Sequence, residues 1–297
     1  MTEVLKSLVD EELKQFIWQL RNGVEPGTVP IPKAALQNLT RECVVDCMVY
    51  EPTSRSQWKG SALLITNIRN REGAEKDEAN MEWLLRALGY SVEMHTNLSG
   101  EAIKRAVQNF SKRYEHQDAD STFVVIMSHG MRINNKDAIL GVDFNGTNPD
   151  DVFFVEDIFS NLNSENCPAL INKPKVIFIQ ACREGQEGGV FQADAAFESD
   201  AMFKSDAFIH KEKDFACFLS AIPDVYAYRS PDNGSFFINY IVDTFSTSAC
   251  KYEIMELFRK ISSRMVNDPD FKYAKEKLLP CMDRTTLVKK FYLFPGL

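Results

Sequence analysis

Residues 175–185 read KVIFIQACREG. Val176 to Ile179 form a short apolar run, β-branched and aromatic, with no polar residue to mark a solvent-facing side. Such a run, bounded by polar residues, predicts a strand buried on both faces. At its end the chain delivers an amide, a thiol and a guanidinium within four residues: Gln180, Cys182 and Arg183. Upstream, STFVVIMSHG (121–130) has the same grammar, and its apolar run ends in an imidazole, His129, followed by Gly130.

Around these two runs the pattern alternates. Strands are predicted at SALLITNI (61–68), YSVEMHTN (90–97) and DFACFLSAIP (214–223), and at the terminal KKFYLFPGL (289–297). Helices are predicted at EKDEANMEWLLRALG (75–89), at SGEAIKRAVQNFSKRY (99–114) with Ser99 as its N-cap, and at VEDIFSNLN (155–163). Two more follow at GSFFINYIVDTFS (234–246) and KYEIMELFRKISSRM (251–265). Strands alternating with helices, two of the strands uniformly apolar, predict an α/β fold with a mostly parallel central sheet covered by helices on both faces. Before it, apolar residues at helical spacing over 3–20 and 33–49 predict a short all-α segment, 1–50, joined through a polar linker, 51–60.

The 297 residues carry a formal net charge of −8, which argues against nucleic acid or an anionic membrane surface as the main partner. No apolar run has the length of a membrane span. The opening MTEVLKSLVDEELK mixes acids into an amphipathic pattern, unlike a signal peptide. Seven cysteines at scattered positions give neither a disulfide framework nor a CxxC pair for zinc, so a reducing, cytoplasmic location is expected and no metal or cofactor is implied.

In parallel sheets chemistry gathers beyond the carboxyl ends of the strands. A Cys at one such end is a nucleophile, and a His at another can move its proton or stabilise the thiolate. A lone cysteine there is more often a small buried hydrophobe. The pair is more telling, because specialised residues flank both members. The two are 182 − 129 = 53 residues apart.

With the Gln180-Ala181-Cys182-Arg183 and Ser128-His129-Gly130 blocks and the terminal FYLFPGL, residues 61–297 resemble the caspase family. The resemblance implies a three-layer caspase-like fold and a cysteine endopeptidase that cuts proteins after Asp, made as a zymogen and active as a homodimer of large and small subunit pairs. It implies Cys182 as nucleophile, His129 as proton manager, and the N–H groups of Cys182 and Gly130 as the oxyanion hole. Arg71 and Arg229 match the family's Asp-binding arginines, with Gln180 as third member. Tyr228 would wall the preceding subsite and Ala227 would offer backbone to an extended peptide. Two departures stand out: Glu184 separates Arg183 from Gly185, and Ala227-Tyr228-Arg229 replaces the usual Ser-Trp-Arg. The closest likeness is to inflammatory caspases. The Tyr-Arg pattern is also similar to the epidermal-differentiation type, and a catalytically silent scaffold is the rival from another class.

Between the cysteine and Arg229 lies VFQADAAFESDAMFKSDAF (190–208), in which Phe-x-[Ala/Ser]-Asp-Ala occurs three times. An incidental polar linker explains the composition but not the phasing. In the light of the resemblance, Asp194, Asp200 and Asp206 are expected self-cleavage sites in a processing linker (184–206), between a large subunit (61–194) and a small one (207–297). Residues 1–50 resemble a truncated pyrin-type death-fold segment, which implies a pyrin-type adaptor as partner. The plainer alternative is a pair of helices packed on the catalytic domain.

Overall fold

The apolar runs at the centre of the chain pair with one another. In a computed structural model the chain is described over residues 50, 59–185, 210–221, 229–230, 233–267 and 279–293. Six strands form one sheet: β1 (Gly60–Thr66), β2 (Tyr90–Thr96), β3 (Thr122–Met127), β7 (Lys175–Gln180), β9 (Phe215–Leu219) and β12 (Cys281–Thr285), in the order β12-β9-β7-β3-β1-β2. All neighbours run parallel except β12, which is antiparallel to β9. β3, β7 and β9 are buried along their whole length, as the apolar runs at their centres require.

Alternation along each strand sends side chains to two cores. Leu64, Val125, Phe178 and Phe218 face a core shared with helices α1 (Ala74–Ala87), α4 (Phe236–Ser248) and α5 (Ile254–Asn267). The rings of Phe218 and Phe258 stack there, 4.1 Å between centroids. Leu63, Val124, Ile177 and Cys217 face the other core with α2 (Gly100–Ser111) and α3 (Glu156–Leu162). Helices thus cover both faces, giving the three-layer arrangement. Ser99 caps α2 as expected, its hydroxyl accepting from the Ala102 N–H at 3.3 Å.

A second sheet was not foreseen. It comprises β4 (Gly130–Ile133), β5 (Lys136–Leu140), β6 (Val152–Phe154) and β8 (Glu184–Gly185), in the order β6-β5-β4-β8. A two-stranded ribbon of β10 (Arg229–Ser230) and β11 (Gly234–Ser235) completes the set. The C-terminal expectation needs correction. KKFYLFPGL forms no strand over its described residues, 289–293. Phe291, Tyr292 and Leu293 are buried, and Lys290 and Phe291 offer single carbonyls to Tyr50 and Ile254. Burial of apolar rings accounts for their hydrophobicity without a ladder. The sheet instead ends in β12, CMDRT, an edge strand whose charges blunt an open edge and hide it from a hydrophobicity reading. The predicted helices within 1–49 lie outside the described residues.

Lys175, which opens β7, is 2% exposed. Its ammonium donates to the carbonyls of Leu170 (3.1 Å) and Lys173 (2.9 Å) and lies 5.0 Å from the centre of the Phe215 ring. Burial disfavours the charged form and pushes its pKa down to about 8, partly opposed by Asp214. In the unfolded chain a lysine keeps its proton to roughly pH 10.4. Below pH 8 both states are protonated and the folded state bears the full cost of the buried charge. Between about pH 8 and 10.4 the unfolded state binds more protons, so this residue's contribution to stability rises with pH. Lys175→Met should therefore gain most over the wild type at or below about pH 8, the gain shrinking towards pH 10.4. Denaturant unfolding across that range measures it, and a difference independent of pH would contradict it.

Candidate active site

β3 and β7 leave the large sheet at the same level and pair again in the small one. The last pair in the large sheet is Met127↔Gln180, and the first in the small sheet is Met131↔Glu184. The offset is 180 − 127 = 53 before the crossing and 184 − 131 = 53 after it. His129 and Cys182, also 53 apart, stand midway between these pairs, so the two ladders bring their backbones level where the chain crosses from one sheet to the other. The Ser128 N–H donates to the Gln180 carbonyl (3.1 Å), carrying the ladder one step towards the gap. Cys182 is half-buried and His129 exposed.

Gly130 makes the crossing possible. A Cβ there would lie 2.7 Å from the Cys182 carbonyl oxygen and 2.8 Å from the Ala181 Cβ, closer than a side chain can come. The Leu140 N–H donates to the His129 carbonyl at 2.9 Å, so His129 turns its backbone polar groups towards β5. Alternation along the strand then turns the N–H of Gly130 the other way, towards the strand carrying Cys182.

The other anticipated residues fall into two groups. Arg71, 2% exposed, lies between β1 and α1, its guanidinium donating to the carbonyls of Asn67 (2.7 Å) and Met127 (3.1 Å). It therefore sits at the same end of the sheet as His129. Its neighbour Arg69 is exposed and pairs with Asp143 at 3.3 Å. Gln180 is buried at the end of β7, and its amide oxygen has no hydrogen-bond partner among the described residues. Arg229 lies in β10, its backbone paired with Ser235. Ala227, Tyr228 and the three linker aspartates, Asp194, Asp200 and Asp206, lie outside the described residues.

Other cysteines behave differently. Cys167 and Cys217 are buried, and burial pushes both thiols up, as expected of structural cysteines. No group of His, Cys, Asp and Glu suited to a metal occurs among the described residues.

Two supports were not anticipated. Asn67 closes β1; its amide nitrogen lies within hydrogen-bond distance of the Leu98 carbonyl (3.0 Å), the Ser128 hydroxyl (3.2 Å) and the Leu140 carbonyl (3.2 Å). Its oxygen accepts from the Leu98 N–H at 2.7 Å. One side chain thus ties the end of β1, the residue before His129, the Leu98 loop and the end of β5. The signal was present, since Asn67 is a polar residue ending the apolar run SALLIT. Arg183, directly after Cys182, forms a two-point ion pair with Asp137 on β5, at 2.9 and 2.6 Å, and donates to the Ala221 carbonyl at 3.2 Å. Burial would lower its pKa, but the Asp137 carboxylate outweighs burial and holds it above the ordinary value.

The caspase-domain family model matches residues 59–292. The chain belongs to the caspase family. It is accordingly a cysteine-type endopeptidase, with a mostly parallel α/β catalytic domain. The PAAD/DAPIN/Pyrin domain model matches residues 1–75, so the chain joins a pyrin-type N-terminal region to its caspase domain. Over 59–75 the two matches overlap, and there the structure has β1 and the start of α1. Caspase b of Danio rerio is 43% identical over all of this chain and 98% of its own length. That alignment, 410 positions long, exceeds the chain itself, so stretches of the relative have no counterpart here. Caspase a of the same fish is 46% identical over 84% of this chain and 65% of its own. Caspase-1 of Equus caballus is 40% identical over 77% of this chain and 56% of its own.

Removing Asp137 leaves the buried Arg183 guanidinium with the Ala221 carbonyl and a more distant carboxylate, Asp283 at 4.0 Å. Asp137→Ala is expected to cost about 3–5 kcal/mol of unfolding free energy. Arg183→Met added to it should restore much of the loss. Denaturant titration of the three variants tests the pair, and a cost below about 1 kcal/mol for the single change would contradict it.

Proposed function

We propose that this caspase cuts proteins after Asp, with Cys182 attacking the scissile carbonyl and His129 managing the thiol proton and the leaving amine. The observation that supports the reading best is the shared offset of 53 on both sides of the crossing, which sets the backbones of His129 and Cys182 level. The N–H of Gly130, turned towards Cys182, and that of Cys182 itself serve as the oxyanion hole. A donor of this kind is typically worth about 3 kcal/mol in the transition state.

Specificity for Asp comes from Arg71, Gln180 and Arg229. Arg71 supports this best. Its guanidinium is buried and anchored to two carbonyls beside the crossing, whereas Arg69 faces solvent and an acid of its own. A carboxylate gripped by such a group gains charge-assisted bonds that a neutral side chain cannot form. Tyr228 and Ala227 line the preceding subsite.

The remaining organisation follows the same reading. Residues 1–50 are a truncated segment of pyrin type that recruits a pyrin-type adaptor, 51–60 a linker, and 61–297 the catalytic domain. The enzyme is a cytoplasmic zymogen acting as a homodimer in inflammatory and pyroptotic signalling. Its likeness to proteins named caspase-1 supports that setting. Self-processing occurs after Asp194, Asp200 and Asp206, in the linker between large (61–194) and small (207–297) subunits.

Cleavage of a short fluorogenic peptide ending in Asp tests the chemistry. Wild type should cut it, and Cys182→Ala should leave no signal above background. Arg71→Ala should lose about tenfold to a hundredfold in kcat/KM and most of its preference for Asp over Asn, the loss expected for one or two charge-assisted bonds. Equal signals from wild type and Cys182→Ala would leave only the scaffold reading. Intact-mass measurement of the purified enzyme should find new termini at Ala195, Ala201 or Ala207 that are absent from Cys182→Ala. Termini elsewhere, or unchanged in the variant, would refute self-processing.

A further inference from the structure

Asp77, in the first turn of α1, is fully buried. A carboxylate withdrawn from water is costly unless hydrogen bonds replace the lost hydration. Here Ser235 supplies two: its N–H donates to Oδ1 at 2.7 Å and its hydroxyl to Oδ2 at 2.5 Å. The partner lies 158 residues along the chain, on β11.

Gly234 explains how β11 comes so close. Its φ is +78°, and a Cβ there would lie 2.4 Å from the Asp77 Oδ1. The ribbon therefore rests on the carboxylate with bare backbone. Ser235 pairs with Arg229 across that ribbon, and Ser230 with Gly234. On the other side, α1 starts directly from Arg71, whose carbonyl accepts from the Ala74 N–H at 3.0 Å. One helix start thus bears Arg71 at its entrance and, in its first turn, the ribbon that carries Arg229.

We propose that Asp77 is a positioning residue for substrate recognition: by gripping Ser235 it sets the spacing between Arg71 and the strand of Arg229, and so the width of the Asp-binding pocket. The inference rests on the Asp-specific reading above. The latch also joins residues on either side of the repeated Asp-Ala stretch, so a cut in that stretch leaves it intact. An apolar residue at 77 would fill space against α4 but would give β11 no acceptor and the ribbon no fixed height. The carboxylate, with one oxygen on the amide and one on the hydroxyl of a single residue, fixes both.

The test uses the full chain and the same Asp-ending peptide. Asp77→Ala should raise KM at least about tenfold while kcat stays within about threefold, since the latch acts on binding geometry and not on the thiol; tenfold is the loss of roughly 1.4 kcal/mol. Asp77→Asn keeps an acceptor for the Ser235 N–H and an amide to face its hydroxyl, and should recover most of the lost affinity. Should Asp77→Ala fail to fold, Gly234→Ala, which drives the ribbon off the carboxylate, should raise KM in the same way. An unchanged KM in the variants, or equal damage to kcat and KM with no recovery in Asp77→Asn, would overturn the proposal. Arg229→Ala serves as control: if it cuts after Asp as well as wild type does, the specificity reading fails. Amide hydrogen exchange on Cys182→Ala protein then judges the latch alone. Adding Asp77→Ala should speed exchange at Ser235 at least about tenfold, and unchanged exchange there would overturn it.

Discussion

A parallel register held at one offset through two sheets is the constraint on which the site depends. β3 and β7 pair 53 residues apart in the large sheet and resume at that offset in the small one. Parallel ladders are strict about register, because a slip of one residue would turn every core side chain to the opposite face. Here a slip would send Val125 and Phe178 away from the core they share with α1, α4 and α5. The packing that stabilises the sheet thus also sets the backbones of His129 and Cys182 level with each other.

Other features keep the crossing open and rigid. Gly130 lets the two backbones approach where any side chain would collide. Arg183 anchors the chain directly after Cys182 to β5 through Asp137, and Asn67 holds the residue before His129 against β1, the Leu98 loop and the end of β5. These are polar interactions among buried or half-buried groups, where a hydrogen bond is strong and an unmade one is costly. The segments that carry Cys182 and His129 are thereby held from behind. The same economy appears at Asp77, where one carboxylate meets both donors of Ser235.

Much of this was legible in the sequence because burial writes itself plainly. β3, β7 and β9 each contain an apolar run, and each is legible as a strand. The five α-helices among the described residues are each legible as helices, and Ser99 as a cap from its place before α2. What escaped reading was short, polar or dependent on distant partners. β8 and β10 have two residues each, β12 carries Asp283 and Arg284, and β4 and β5 contain three charged residues between them, Arg132, Lys136 and Asp137. None has a hydrophobic period to detect. KKFYLFPGL misled in the opposite direction, since its rings are buried from a loop. Among site residues, His129, Cys182 and Gly130 announced themselves at strand ends. Asp77 gives no sign in the sequence, because Ser235, which it holds, lies 158 residues along the chain.

The alignment of His129 with Cys182 is most directly tested by covalent trapping. Cα atoms of level residues on adjacent parallel strands lie about 5 Å apart, within the range that a disulfide bridges without backbone movement. A His129→Cys variant, oxidised mildly and digested without reductant, should yield a peptide joined through residues 129 and 182 in high yield. Recovery of both thiols free and open to alkylation would mean that the two strands do not meet as described, and the proposed chemistry would lose its basis.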